Sequence, residues 1–402
     1  MSTSSNVANC LIIASSLVFW STCSAGSREE GQQSPLAVSV IEVEFLDGAT
    51  RLAGTLLLPA SAGPHAAVVL LGGSDRGARG PGKDHLAKTF AEGGLAALTY
   101  DSPGTGRSTG NALIQTRLDR AREGVAAMEF LRSMDEVDPT QVGICGGSEG
   151  AGVALMAAAL DRAAAFSIVI SGGFGLTMME LSRYRIDAMG LRRGLSDDDI
   201  HRAHALEEIL YALLTNQDVV EWRLVRARTD RWQDEPWDKL IGVVESCRGD
   251  LSDTQKQEAW TSLKGILQDW RSEPWFEVAV PDRGNLERLL AMDATMFFAF
   301  LTRSPLAAGA WYVSPEELNL LTEVRCPVLG LWGQEDDYLP PHRSAAWLRA
   351  ILEDVGNDDV TLRILPGANH SIWNDRTSAF AEGYPELLVD WLEERMKSTQ
   401  EE

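Results

Sequence analysis

The chain has 402 residues, with 58 Asp and Glu against 36 Lys and Arg, which gives a formal net charge of −22 at pH 7. This length suits a main domain of roughly 250 residues with an insertion, and the apolar fraction of 45% is ordinary for a globular protein. The negative charge argues against binding to nucleic acid or to an anionic membrane surface, because both need clustered Lys and Arg.

An apolar run lies near the N-terminus, from Leu11 to Trp20. It is too short to span a bilayer as a helix, but it suits the hydrophobic region of a signal peptide, and the small residues that follow suit a cleavage site. We expect residues 1–34 to be a signal peptide and linker, and the mature chain to be exported without an integral membrane span. A lipid anchor at Cys23 is an alternative form of export. A cytoplasmic location is the other alternative, since no Lys or Arg precedes the run.

The central sequence alternates strand and helix patterns, which is typical of an α/β protein. An antiparallel pair is predicted first, at residues 38–45 and 55–58. The later strands are predicted at residues 66–71, 95–100, 142–145, 166–170, 328–332 and 361–365, with helices at 84–92, 116–134, 151–160 and 384–396.

The strand pattern is interrupted by a long helical segment. It holds seven of the twelve tryptophans, which are Trp222, Trp232, Trp237, Trp260, Trp270, Trp275 and Trp311. We expect residues 35–174 and 324–402 to form an α/β core and residues 175–323 to form a helical cap insertion. The tryptophans are candidates for lining an acyl pocket, although an indole in a helical subdomain more often packs in its core.

The segment Gly146–Gly150 (GGSEG) has the pattern of a strand, a sharp turn and a helix. Such a turn holds its serine in a strained conformation and exposes the hydroxyl above the sheet. It also places the hydroxyl at a helix N-terminus, where N–H groups can stabilise an oxyanion. We therefore expect Ser148 to be a catalytic nucleophile. The alternative is a glycine-rich turn that holds a serine by chance.

A serine nucleophile needs a base within hydrogen-bond reach. His370 directly follows the predicted strand at residues 361–365, and loops at the carboxyl ends of parallel strands gather at one edge of a sheet. The other histidines occupy less suitable positions, at His65, His85, His201, His204 and His342. We expect His370 to be the base, the alternative being a loop histidine that caps the next helix.

The base in turn needs a carboxylate that orients it. Three consecutive acids, Glu335, Asp336 and Asp337, follow the predicted strand at residues 328–332. Asp336 is favoured because a D-x-x-(aliphatic)-P pattern begins there. Glu335 and Asp337 stay open as alternatives.

An oxyanion hole needs two hydrogen-bond donors. One predicted donor is the backbone N–H of Glu149, the residue after the nucleophile. The other is expected from the loop at residues 72–77, where Ser74 N–H is preferred, Gly73 is the second candidate and a plain tight turn is the alternative. The glycine-rich loop at residues 100–108 lacks a helix start and a Walker lysine, so we expect it to support the active-site loops.

Together these segments resemble the α/β-hydrolase superfamily, and most closely its EstD-like and dienelactone-hydrolase-related bacterial serine esterases. The matching motifs lie at Gly72–Ser74, Tyr100–Gly110, Gly146–Gly150, Gly333–Pro340 and Gly367–His370. The resemblance covers residues 38–173 and 326–402, and Gly147 stands where the esterases usually have histidine. It implies an α/β-hydrolase fold, a mostly parallel central sheet flanked by helices, with a large helical cap insertion.

The sequence therefore predicts a serine esterase that cleaves a small-molecule carboxylic ester through a Ser-His-Asp triad and an acyl-enzyme. Acyl-CoA thioesterase, peptidase and acyltransferase are alternatives on the same scaffold, and a non-catalytic binding module is the alternative outside enzymes. No cysteine spacing indicates a disulfide framework or a zinc site. We expect neither a cofactor nor a metal, and the sequence leaves the oligomeric state open.

Overall fold

A computed structural model describes residues 38–74, 77–112, 115–215, 222–233, 235–247, 249–280, 283–303 and 315–398. The predicted signal peptide and linker, with Cys23, lie outside these residues, as does Trp311. The chain divides into two compact units. The helical unit is Thr177–Val313, and the sheet unit comprises the described residues before and after it. None of the helices in the described part of the chain has the length and hydropathy that a bilayer crossing requires.

Eight strands form the central sheet of the sheet unit. They are β1 (Val38–Asp47), β2 (Thr50–Pro59), β3 (His65–Leu71), β4 (Ala96–Tyr100), β5 (Val137–Gly147), β6 (Ser167–Ile170), β7 (Val328–Gly333) and β8 (Val360–Leu365). Their order across the sheet is β1-β2-β4-β3-β5-β6-β7-β8. Strand β2 is antiparallel to both of its neighbours, and the other neighbouring pairs are parallel. A two-stranded ribbon follows, formed by β9 (Trp373–Asn374) and β10 (Ala379–Phe380).

The helices are numbered along the whole chain, and α4 to α11 belong to the helical unit. They are α1 (Pro81–Glu92), α2 (Arg117–Arg132), α3 (Glu149–Leu160), α4 (Met178–Arg192), α5 (Asp197–Thr215), α6 (Trp222–Thr229), α7 (Trp237–Cys247), α8 (Asp253–Trp270), α9 (Phe276–Ala279), α10 (Arg283–Leu290), α11 (Ala294–Arg303), α12 (Pro315–Leu321), α13 (Pro341–Asp354) and α14 (Tyr384–Ser398).

Helices cover both faces of the sheet. Side chains alternate along a strand, so Val69 of β3 packs on one face with Met128 of α2. Its neighbour Val68 packs on the other face with Phe90 of α1 and Trp391 of α14. A strand buried on both faces is mostly apolar, which explains the unbroken apolar run at residues 66–71 of β3. The predicted architecture, a mostly parallel sheet flanked by helices, is therefore confirmed.

Parallel strands bring the predicted site residues to one edge of the sheet. Strands β3, β5, β7 and β8 run in the same direction, so the loops that follow them leave from the same edge. These loops carry Ser74, Ser148, Asp336 and His370 respectively. The topology thereby assembles residues that are up to 296 positions apart in the sequence (370 minus 74).

Tryptophans form much of the core of the helical unit. The ring of Trp237 has centroid distances of 4.5 Å to Trp270, 5.2 Å to Trp232 and 5.8 Å to Trp275. These four side chains and Trp260 are buried, with exposed fractions of 2–6%. Their burial against one another and against aliphatic side chains of the same unit gives them a packing role.

Candidate active site

Ser148 lies at the junction of β5 and α3, with φ 54° and ψ −121°. A positive φ is strained for a residue with a side chain, and a hydrogen bond from its N–H to the Ile170 carbonyl holds it at 2.8 Å. A Cβ on Gly146 would lie 2.0 Å from the Gly150 carbonyl oxygen. A Cβ on Gly150 would lie 2.4 Å from the Gly72 carbonyl oxygen. Backbone contacts therefore require the two outer glycines of the GGSEG turn.

Asp336 is buried in the loop after β7, with an exposed fraction of 2%. Its Oδ1 accepts the backbone N–H groups of Tyr338 and Leu339, at 2.8 and 3.0 Å. Its Oδ2 lies 2.7 Å from Nδ1 of His370. The neighbouring Glu335 is exposed and pairs with a surface arginine. Of the three consecutive acids, Asp336 is the one that contacts the histidine.

His370, in the loop after β8, joins the acid to the serine. Its Nε2 lies 3.1 Å from Oγ of Ser148. Because the carboxylate of Asp336 only accepts, the proton belongs on Nδ1, which leaves Nε2 free to accept the serine proton. The structure thus brings the three residues predicted as a triad into one hydrogen-bonded chain.

The electrostatic surroundings of His370 favour its charged form. Burial of the ring disfavours the imidazolium, but the charge and hydrogen bond of Asp336 and the charge of Asp337 act in the opposite direction and outweigh it. The pKa of His370 is therefore raised above its ordinary value. Stabilisation of an imidazolium is the property that a base needs when it removes a proton from serine.

The loops that carry the acid and the base are bonded to each other. A Cβ on Gly333 would lie 2.2 Å from the carbonyl oxygen of Asn369 and 2.3 Å from that of Ala368. The Glu335 N–H donates to the Ala368 carbonyl at 2.8 Å. Main-chain contacts therefore fix the distance between the carboxylate and the imidazole.

The segments predicted to form the oxyanion hole lie beside the serine. A Cβ on Gly73 would lie 3.4 Å from Cβ and 4.0 Å from Oγ of Ser148. Ser74 is buried, and Glu149 is the first residue of α3. The candidate donors Gly73, Ser74 and Glu149 thus belong to the two backbone segments that flank the hydroxyl.

The loop after β4 supports the loop after β3. Oδ1 of Asp101 accepts the backbone N–H of Arg79 at 2.8 Å, and Oδ2 accepts the N–H of Arg107 at 3.0 Å. The N–H of Ser102 donates to the Gly77 carbonyl at 3.2 Å. The glycine-rich loop at residues 100–108 therefore acts as the structural support that the sequence predicted.

The remaining histidines offer no metal centre. Nε2 of His204 lies 2.7 Å from Oδ1 of Asp187, and His201 is exposed. Within the described ranges, no three His, Cys, Asp or Glu side chains are grouped so that they could hold a metal ion.

Two solved structures are similar to this chain over most of its length. One is a hypothetical protein of Pseudomonas aeruginosa, with a TM-score of 0.50 and 17% identity over 92% of this chain and 98% of that one. The other is a proline iminopeptidase of Mycobacterium smegmatis, with a TM-score of 0.51 and 15% identity over 89% of this chain and 100% of that one. In this chain, the sheet is mostly parallel and Ser148 lies at a turn between a strand and a helix. The chain has the α/β-hydrolase fold.

Sequence similarity covers part of this α/β-hydrolase fold. Residues 47–185 match the family model described as X-Pro dipeptidyl-peptidase (S15 family). The polyketide transferase claH of Penicillium crustosum is 39% identical over 103 residues, which are 25% of this chain and 33% of that protein. The aligned segment thus spans about a third of that curated relative. The family-model match includes Ser148 and ends before Asp336 and His370.

Two arginines that hold the loops of the site in this α/β-hydrolase fold were not singled out in the sequence analysis. Arg79 bonds to Asp101, and Arg120 of α2 donates to the Gly72 carbonyl at 2.6 Å. One partner is a distant side chain and the other is a main-chain oxygen. Neither contact leaves a local sequence pattern by which it could be found.

Proposed function

We propose that this protein is a serine hydrolase that cleaves carboxylic esters through an acyl-enzyme. The observation that carries the proposal is the chain of contacts from Asp336 through His370 to Ser148, at 2.7 and 3.1 Å. The strained backbone of Ser148 at the N-terminus of α3 supports it further. A small-molecule ester is the substrate, and the residues described here account for the reaction without a cofactor.

In the acylation step, Oγ of Ser148 bonds to the acyl carbon while its proton moves to Nε2 of His370. The N–H groups of Glu149 and Ser74 stabilise the negative charge that develops on the carbonyl oxygen. The bond from the acyl carbon to the alkoxy oxygen then breaks, and the proton on Nε2 passes to the leaving alcohol. Asp336 holds the imidazole in the required tautomer and stabilises its charged form.

In the deacylation step, a water molecule takes the place of the alcohol. His370 removes one proton from the water as its oxygen bonds to the acyl carbon. The bond between the acyl carbon and Oγ then breaks, and the proton on Nε2 returns to Ser148. The acid leaves and the resting enzyme is restored.

Hydrolysis of short p-nitrophenyl esters tests the proposal. Ser148→Ala should lower kcat by several orders of magnitude, because loss of a triad member typically lowers it by about 10⁴-fold or more. Ser133→Ala is the matched control, since Ser133 is exposed and bonds only within its own helix end. Turnover by Ser148→Ala at the rate of the parent chain would refute the assignment.

Labelling by an active-site phosphonate tests the chemistry independently of the ester chosen. Mass spectrometry should locate one adduct, on Ser148, and the Ser148→Ala variant should remain unlabelled. A folded protein that takes up no phosphonate and hydrolyses no ester would instead support a non-catalytic binding module.

Amide hydrolysis and acyl transfer are the second candidates on the same machinery. The match of residues 47–185 to the S15 family model favours a peptidase, and the similarity to the polyketide transferase favours an acceptor other than water. A net charge of −22 disfavours the polyanionic acyl-CoA of a thioesterase. Rates on proline p-nitroanilides, acyl-CoA and p-nitrophenyl esters, with product analysis in the presence of added alcohols, separate these reactions.

A further inference from the structure

Arg120 is a buried cation that the proposed mechanism does not use. It lies on α2 and has an exposed fraction of 6%. Its Nη2 donates to the carbonyl oxygen of Gly72 at 2.6 Å. Its Nη1 lies 3.5 Å from Oε2 of Glu149. One guanidinium thus bonds to the backbone of one segment that flanks the hydroxyl of Ser148 and forms an ion pair with the Glu149 side chain of the other.

The contact with Gly72 fixes the direction of a neighbouring N–H group. A trans peptide is planar, so the carbonyl of Gly72 and the N–H of Gly73 point in opposite directions. A guanidinium that holds the carbonyl therefore also holds the Gly73 N–H, and with it the start of the segment that leads to Ser74. The same carbonyl oxygen packs against Gly150, which limits its movement from the other side.

The contact with Glu149 acts on the second segment. Glu149 is the first residue of α3, and its backbone N–H is the donor adjacent to the nucleophile. Its side chain has an exposed fraction of 13%, and that of Arg120 has 7%. A guanidinium is a planar fork with five donors in fixed directions, so it can hold two separate acceptors at a set spacing, whereas the lysine ammonium is a compact charge whose three donors rotate.

We propose that Arg120 is a positioning residue of the oxyanion hole, which sets the Gly72–Ser74 segment and the Glu149 turn at the spacing that the developing oxyanion requires. This inference rests on the proposed ester hydrolysis. Apolar side chains of similar volume would often stabilise the fold as well as a buried ion pair does, so the geometry of the two segments is what this contact specifically contributes.

The test compares p-nitrophenyl acetate with its thiono analogue, in which sulfur replaces the carbonyl oxygen. Sulfur is a weak hydrogen-bond acceptor, so the thiono substrate gains little from an oxyanion hole. Arg120→Gln should lower kcat/KM for the ester by about 10- to 100-fold, less than the loss of about 100- to 1000-fold for a removed donor. The thiono substrate should lose about threefold or less, because its transition state depends little on these donors. KM for the ester should stay close to that of the parent chain.

Arg132→Gln is the matched control on the same helix. Arg132 makes the same two kinds of contact, through Nη1 to the Asp161 carboxylate at 2.7 Å and through Nη2 to the Ala163 carbonyl at 3.1 Å. It lies twelve residues further along α2, about 18 Å away along the axis. The Arg132→Gln variant should leave the ratio of kcat/KM for the ester to kcat/KM for the thiono substrate unchanged, whatever its effect on stability.

Arg120→Lys carries the test if Arg120→Gln does not fold, because it keeps the charge and loses the fork. For Arg120→Lys, kcat/KM for the ester divided by kcat/KM for the thiono substrate should also fall below the value of the parent chain. Parallel losses on both substrates in the Arg120 variants, or no loss, would overturn the inference and leave the ester hydrolase intact. Absence of ester turnover in the parent chain, or equal turnover by Ser148→Ala, would instead overturn the proposed function.

Discussion

The carboxylate of Asp101 accepts the backbone N–H of Arg79 at 2.8 Å and its Nε at 3.1 Å, which joins the loop after β4 to the loop after β3. Burial raises the pKa of a carboxyl, but the hydrogen bonds from Arg79 and from the Arg107 N–H outweigh that effect, and the pKa of Asp101 is lowered. A carboxyl whose pKa is lowered by folding stabilises the folded state at pH values above its pKa in the unfolded chain. That stability is lost as the pH falls through the folded pKa.

Asp101→Asn should therefore destabilise the sheet unit at neutral pH, by about 3 kcal/mol for a broken buried ion pair. The difference in the free energy of unfolding between the variant and the parent chain should be largest at pH values above the ordinary Asp pKa of about 3.9. It should shrink as the pH falls below that value. Urea unfolding at several pH values measures this, with the exposed Asp358→Asn as control. A difference that is constant with pH would contradict the charge-based explanation.

Asp336→Asn should lower kcat by about 10⁴-fold, because an amide favours the wrong imidazole tautomer. Glu335→Gln should change it little, since the Glu335 side chain is directed to a surface arginine. The measurement is kcat for ester hydrolysis by each variant. Thermal unfolding of the same preparations shows whether both variants are folded. A larger loss in Glu335→Gln would assign the acid differently.

Asp337→Asn should shift the acid limb of the pH profile for kcat/KM to lower pH. The negative charge of Asp337 helps to raise the pKa of His370, against the opposing effect of burial. Its removal lowers that pKa, so the neutral base survives at more acidic pH. The control is Asp358→Asn, which should leave the limb in place. A shift of the acid limb to higher pH in Asp337→Asn would contradict the inference that Asp337 raises the pKa of His370.

Gly150→Ala should abolish most of the activity and lower stability, because its Cβ would lie 2.4 Å from the Gly72 carbonyl oxygen. Gly152→Ala on the same helix is the matched control, since a Cβ there meets no atom within 4 Å. The control should stabilise the protein by about 0.5–1 kcal/mol through helix propensity. Thermal unfolding and ester turnover are measured for both variants. Equal unfolding temperatures and equal turnover in the two variants would mean that the turn accommodates a side chain at position 150.

Trp237→Ala should destabilise the helical unit by about 3–5 kcal/mol, the usual effect of removing a large buried aromatic side chain. Trp237→Phe should have a smaller effect, because it keeps part of the contact with Trp270. Leu224→Ala serves as control, since Leu224 is 48% exposed. Denaturant unfolding provides the measurement. A change in ester turnover without a change in stability would assign Trp237 to a substrate contact instead.

The sequence was sufficient to predict the eight strands of the central sheet and the site loops that follow them, but not the two-stranded ribbon of β9 and β10. Buried parallel strands are unbroken apolar runs, and the glycines around Ser148 are required by backbone contacts that recur wherever such a turn is built. Helix α13 was not predicted, although Pro341 at its first turn is a known helix-start signal. The contacts of Arg120 could not be predicted, because one partner is the main-chain oxygen of Gly72, which any residue offers, and the other is the side chain of Glu149, 29 positions further along the chain.

The clustered indoles of the helical unit have an optical consequence. Trp237, Trp232, Trp270 and Trp275 form a set whose neighbouring ring centroids are 4.5–5.8 Å apart. At such separations the electronic transitions of adjacent chromophores couple, which should give the helical unit its own circular dichroism band. Heating the protein while that band and the far-ultraviolet signal are recorded together would resolve whether the two units melt at one temperature or at two.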